Sequence, residues 1–347
     1  MSRGHVKAMK DNYIQQGGAK FDILKFVLAL IIVSLHSGII PKWLFPIARL
    51  AVPLFFIMTS YFFFLKVSNL YDDSLRKQAL HRYLKRNFQL YLFWSVALLP
   101  AVVLMNLSWF QNGAMSAIMN IFKAFFISEF FPASWFILSA IYSVIIVFYL
   151  SRWLSSRWLL LFSLLLYCLA LLDSNYGGLL SDQSRIIFNM PGIRYSLNIP
   201  AAMIWIVMGK SLAERPVTLS PMLLYSLIAI IAIVYYLEYL TIGEYGISIH
   251  SDCFIMTIPL SPLIFIAIGQ SHDIKCKHAL WLRKSSIIIY CLHLTLILLI
   301  SYSSAYFGFE SSKPISFIIT IFTCICVASL IIFLREKKNV TLLSFAY

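Results

Sequence analysis

Charge is what this chain has least of. Asp, Glu, Lys and Arg make up 12% of its 347 residues, where a soluble domain carries roughly 25%. Set beside 61% hydrophobic residues and a mean hydropathy of +0.83, that scarcity excludes a soluble domain. Acidic residues are the rarer kind, 14 against 28 Lys and Arg. The basic excess does not point to nucleic acid, because it sits in alternating loops between apolar runs, which is the membrane pattern. The six cysteines form no CxxC and stand at no metal-ligand spacing from histidine, so they read as small apolar residues and no metal is expected. No internal repeat is visible, which weakens an inverted-repeat transporter. There is also no ATP-binding motif, no low-complexity segment and no linker long enough to separate domains. The polar, basic first 20 residues lead into a full-length apolar run without a small-residue cleavage site. That run therefore reads as a first span and not as a removed signal peptide.

What is there is a series of apolar runs of about the roughly 20 residues a bilayer core requires. They fall at 21–40, 46–67, 88–107, 133–150, 158–173, 194–212, 219–237, 252–269, 284–306 and 314–334. The segment 114–131 is too polar to span and reads as an interfacial or re-entrant helix on the outer side. With the N-terminus inside, the outer segments hold only Lys42, Lys123, Arg185, Arg194 and Lys313. Nearly all other Lys and Arg, from Arg3, Lys7, Lys10 and Lys20 onward, fall inside. The positive-inside bias thus places both termini in the cytoplasm and requires an even number of spans. The expected fold is an all-α integral membrane bundle of about ten transmembrane helices. It comprises a cytoplasmic tail over 1–20, a transmembrane domain over 21–334 and a cytoplasmic tail over 335–347.

Ionisable residues inside spans cost roughly 2.5–3.5 kcal/mol or more, so each is a functional candidate. In the first span, Lys25 and His36 are eleven residues apart. At about 100° per residue that returns to one helix face, with roughly 16 Å of axial separation. Lys25 either snorkels to the inner interface or serves a ligand, and Asp22 is placed to pair with it. His36 is either a packing histidine or, kept neutral by burial, a general base. Arg49 enters the second span from the outer face, either among headgroups or as a binder of an acidic substrate or a developing oxyanion. The cytoplasmic loop with Arg76, Lys77, His81, Arg82, Lys85 and Arg86 is denser in charge than topology needs, which favours a phosphate ligand. Trp135 reads as an interface-belt residue or a site residue, and His293 in mid-membrane as structural or cavity-lining. The outer acids Glu129, Asp173, Asp182, Glu238, Glu244, Asp252 and Glu310 read as solvated, with Asp252 the one to watch because it opens a span.

Together these segments resemble integral-membrane acyltransferase family 3, which includes bacterial O-acetyltransferases of surface polysaccharides. Lys25 and His36 match a first helix with Arg or Lys, ten residues, then His. Arg49, Val52, Pro53, Leu54, Phe55, Phe56, Ile57 and Tyr61 match the second helix, with Thr59 and Ser60 in place of its usual Ser-Gly. Leu90, Tyr91 and Trp94 match the third, Trp135 and Phe136 the fourth, and Ile289, Tyr290 and His293 the ninth. The family's Arg-x-x-Arg is met only by Arg82-x-x-Lys85. The resemblance spans about 20 to 335.

The resemblance implies an acyl donor, acetyl-CoA, arriving from the cytoplasm. The acceptor it implies is a sugar hydroxyl on an envelope polysaccharide or lipid-linked oligosaccharide, at the inner membrane and among membrane lipids. Carried onto this chain, His36 is the base or transient acyl carrier. Lys25, Arg82, Lys85 and Arg86 bind donor phosphates, Arg49 orients the acceptor or the oxyanion, and Trp135, His293 and Asp252 line the substrate. The competing readings are a transporter or flippase for a lipid-linked glycan or small solute, and a non-catalytic subunit recruiting glycan-assembly enzymes.

Overall fold

Every apolar run of the sequence becomes a helix in the computed structural model, and the described residues contain no strand. Hydrocarbon offers no partner to backbone N–H and C=O, so the segment itself must pair them, as a helix does. The described residues are 18–185, 188, 194–308 and 312–347, with the side chains of Asp182 and Arg185 excepted. The tail up to residue 17, with Arg3, Lys7 and Lys10, lies outside them, as does Glu310.

In chain order the helices are α1 (Gly18–His36), α2 (Phe45–Arg49), α3 (Ala51–Ser68), α4 (Asp73–Ala97), α5 (Leu99–Met105), α6 (Ala114–Phe126) and α7 (Trp135–Leu150). They continue as α8 (Ser156–Leu172), α9 (Asp182–Arg185), α10 (Ile199–Glu214), α11 (Pro221–Tyr245), α12 (Thr257–Gln270), α13 (Ala279–Phe307) and α14 (Lys313–Lys337). A helix occupies each of the ten predicted spans. By length and apolarity alone, four stretches among the described residues are fit to cross a bilayer: Lys42–Ser68, α11, α13 and α14. The pair α4 and α5 makes a fifth, bent by 63°. Pro100 accounts for that bend, since it lacks the N–H that would bond the Val96 carbonyl. Helices α6, α7, α8 and α12 are apolar but shorter. The segment expected to lie at the interface does form a separate helix, α6.

Two units divide the chain, one of residues 1–44 and 264–347, the other of residues 45–263. In the first, α1 lies along α13, α13 along α14, and the short turn Thr341–Ala346 folds onto α14. The α1 face toward this packing carries Leu28, Ala29, Ile32 and Val33, all buried. Lys20, buried near the start of α1, donates to the Gly269 and Ser271 carbonyls at 2.9 and 2.8 Å and reaches Asp273 at 3.4 Å. It thereby satisfies the carbonyls that the end of α12 leaves open, with a cation at the negative end of the dipole.

In the second unit α10 is central, packed on α3, α7 and α8. Its run Ala201–Val207 is buried on every side, as expected of a helix that is apolar all round. Close approach to α3 depends on Gly209. A Cβ there would stand 1.9 Å from Ser60 Oγ and 2.5 Å from the Ile57 carbonyl. Ser60, at the position of the family's usual glycine, is fully buried and bonds the Phe56 carbonyl at 2.9 Å. Small residues that let backbones meet are the main source of helix association where no hydrophobic drive exists. Cys253, Cys291 and Cys324 are buried, as small apolar residues are, while Cys168 and Cys326 are exposed.

Candidate functional site

The α1–α13 packing of the first unit brings the two span histidines together. The rings of His36, the last residue of α1, and His293 of α13 are 5.4 Å apart between centroids, tilted by 40°. His293 is fully buried. Its Nδ1 lies 2.7 Å from the Tyr290 carbonyl and 3.1 Å from that of Ile289. A carbonyl only accepts, so Nδ1 carries the proton and Nε2 is left as a lone-pair acceptor. Among the described residues that Nε2 is buried without a hydrogen-bond partner, which costs roughly 1–3 kcal/mol where nothing satisfies it. His36 is exposed and Lys25 half-buried.

The second unit gathers the charges of several separate segments. Asp252 receives Arg49 Nη1 at 3.1 Å on one carboxylate oxygen, and Arg194 Nη2 with Ser196 Oγ on the other. Two guanidinium groups share one carboxylate, so the trio keeps one positive charge. Arg49 also lies over the Phe45 ring, 4.8 Å from its centroid. Among the described residues the Nε groups of both arginines are buried without a hydrogen-bond partner.

A frame of hydrogen bonds fixes Asp252. Ser174 Oγ accepts the N–H groups of Asp252 and Cys253 at 2.9 and 3.1 Å and donates to the His250 carbonyl. Asp173 takes the Ser196 N–H at 2.9 Å. Glu238, from α11, takes the N–H groups of Ile255 and Met256 at 2.6 and 2.9 Å and the Tyr176 hydroxyl. Burial, reinforced by that carboxylate, pushes the Tyr176 phenol well above its usual range, so it remains a donor. Asp173, Glu238 and Asp252 are therefore committed partners, where the sequence reading had the first two solvated and Asp252 as the acid to watch.

Trp135 opens α7 and lines a cavity of about 420 Å³ with Trp109, Lys123, Glu129 and Arg194. Arg82, Lys85 and Arg86 are exposed on α4, at spacings that share one helix face. Arg82, His81 and Lys77 line a groove of about 710 Å³, at whose edge Asp73 is held by Lys77 at 3.0 Å and Arg152 at 2.8 Å. The structure thus joins His36 with His293, and Arg49 with Asp252. Lys25, expected with the α4 cations, belongs to the first unit, and those cations to the second. Arg194, Ser174, Ser196, Glu238 and Lys20 had not been singled out. The nearest signal was a pair of opposite charges, Arg194 and Asp252, each at the outer end of a predicted span.

Several helices long and apolar enough to cross a bilayer, with a histidine pair between two helices, define a multi-pass membrane protein with built polar sites. The acyltransferase domain that describes acyltransferase family 3 matches residues 19–334, nearly the whole chain. The protein belongs to that family and is a membrane acyltransferase. No curated protein and no solved structure matches the chain.

Proposed function

We propose that the protein is an O-acetyltransferase. It moves an acetyl group from cytoplasmic acetyl-CoA to a sugar hydroxyl of an envelope glycan or its lipid-linked precursor, in the inner membrane, through about ten spans with both termini cytoplasmic. The observation that carries this is the His36–His293 pair in a chain of this family. A histidine at the open end of α1, backed by a buried neutral one with a free acceptor nitrogen, suits removal of a hydroxyl proton.

In this reading His36 takes the proton of the acceptor hydroxyl. The oxygen attacks the thioester carbonyl, a C–O bond forms and the C–S bond breaks. His36 then returns the proton to the departing thiolate, so the residue ends as it began. His293 holds the imidazole of His36 in place. Donor phosphates are assigned to Arg82, Lys85 and Arg86, whose exposed cations on one face of α4 match their charge. Lys25, on the same helix as His36, keeps its part in donor binding. Arg49 is assigned to the acceptor and Asp252 to holding Arg49, with Trp135 as an acceptor contact.

Mass spectrometry of the host's surface glycans tests this in wild type, a deletion strain, and the deletion carrying His36→Ala. Loss of one acetyl per repeat in the last two is the expected result. Unchanged acetylation in a deletion strain cleared of other acyltransferases would sink the reading.

A further inference from the structure

The cavity beside Trp135 combines two indoles with opposite charges. Its wall carries Trp109, Trp135, Asn120, Lys123, Glu129 and Arg194. Its volume, about 420 Å³, lies within the roughly 300–1,000 Å³ typical of small-ligand pockets. Trp135, Glu129 and Arg194 are each fixed from behind. The Trp135 ring packs on Phe56 at 6.2 Å between centroids. Glu129 Oε2 accepts the Ala133 N–H at 3.1 Å, and Ser134 Oγ accepts the Phe130 N–H at 3.0 Å. The turn so closed holds Ala133 at φ +71°. A non-glycine residue in that region persists where the surroundings over-determine it, often at a binding site. Arg194 is anchored by Asp252 and still 39% exposed.

Wall chemistry selects the ligand. Indole faces cover the C–H face of a pyranose, while Asn and Glu side chains bond hydroxyls. The charges decide which pyranose. Of the charged side chains that line the cavity, Lys123 and Arg194 are cations and Glu129 is the one acid, so the lining carries one cation in excess. One uncompensated cation suits one carboxylate, whereas a phosphomonoester brings about −1.5 to −2. We infer that this cavity is the subsite for a hexuronic acid residue of the acceptor glycan. This rests on the acyltransferase reading and narrows its acceptor to an acidic polysaccharide.

The test uses the full chain in lipid nanodiscs and two probes that differ only at C6, methyl β-glucuronide and methyl β-glucoside. Binding is read by saturation-transfer NMR and by tryptophan fluorescence. The glucuronide is expected to bind about tenfold more tightly, the equivalent of one charge-assisted hydrogen bond. Lys123→Gln and Arg194→Gln should each cut that preference to about threefold or less, and Trp135→Leu should weaken both sugars alike. Lys123→Gln leaves the Asp252 trio intact, so the test stands even where Arg194→Gln fails to fold. Equal affinity for the two sugars, or a preference unchanged by Lys123→Gln in folded protein, would overturn the inference. Acetyl transfer to glycans combined with indifferent sugar binding overturns the subsite and spares the acyltransferase reading. A retained glucuronide preference without transfer to any glycan overturns that reading and leaves the subsite standing.

Discussion

Arg49 and Asp252 lie 203 residues apart and meet at 3.1 Å, with Arg194 closing on the other carboxylate oxygen. The relationship makes Asp252 the hinge of the cluster, because its carboxylate bridges the two guanidinium groups. Asp252→Asn should leave both arginines facing each other. Removing one partner of a buried pair costs roughly 3–5 kcal/mol, and less here because Arg194 is partly exposed. The expected result is a clear fall in the thermal midpoint of the protein in nanodiscs, together with loss of acetyl transfer. The double variant Arg49→Met, Asp252→Leu should recover much of the midpoint and none of the transfer. A midpoint unmoved by Asp252→Asn would show that the ion pairs do not hold the loop.

The histidine pair predicts unequal losses. His36→Ala should lower transfer by about 10²–10⁴-fold, the usual worth of a general base. His293→Leu is close to the original volume and removes the nitrogens, so it should cost about tenfold in kcat through misplacement of His36. Affinity for coenzyme A should be the same in both variants. Equal, complete loss in the two would instead make His293 the base.

The cations of α4 should act on donor binding and not on chemistry. Arg82→Gln, Lys85→Gln, Arg86→Gln together should raise KM for acetyl-CoA about tenfold or more with little change in kcat. They should also flatten its salt dependence, since exposed charges are screened over roughly 10 Å at 0.1 M salt. A triple variant with unaltered KM would show that the density of this loop serves topology alone.

Much of this was legible from the sequence. Hydrophobic runs announce helices by length alone, so every predicted span found one, and the even spacing of Lys25 and His36 placed both on α1. Asp252 stood out because a carboxylate at the mouth of a span is expensive. What could not be read was pairing. Nothing local links Arg194 to Asp252 across 58 residues, or Lys20 to Gly269 across 249. Ser174 looks like any loop serine until three backbone groups of another loop converge on it. The number of true crossings was equally hidden, because helix length in α6, α7, α8 and α12 falls short of what their apolar flanks suggest.

Glu238 illustrates the same limit and carries its own prediction. From α11 it caps the chain at Ile255 and Met256, just ahead of α12, and so sets the course of the loop that bears Asp252. Glu238→Gln keeps one acceptor oxygen and loses the charge, while Glu238→Ala leaves two N–H groups bare at about 1–3 kcal/mol each where buried. Stability should therefore fall in the order wild type, Gln, Ala. KM for the acceptor glycan should rise in the same order while KM for acetyl-CoA stays level. An acceptor KM indifferent to both changes would detach this capping from the Asp252 loop.

Gly209 tests the packing that supports the whole second unit. Its missing side chain is what allows Ser60 and the Ile57 carbonyl to lie against α10. Gly209→Ala must push the helices apart, because one of the opposing atoms is backbone and has no rotamer to yield. Overpacking of this kind costs roughly 1–3 kcal/mol, and the midpoint should fall accordingly. Ser60→Gly removes the 1.9 Å contact but not the 2.5 Å one to the Ile57 carbonyl. Added to Gly209→Ala, it should restore part of the loss and never all of it. Full restoration would mean that the α3 backbone moves freely, and a Gly209→Ala midpoint equal to wild type would mean that α10 does not sit this close.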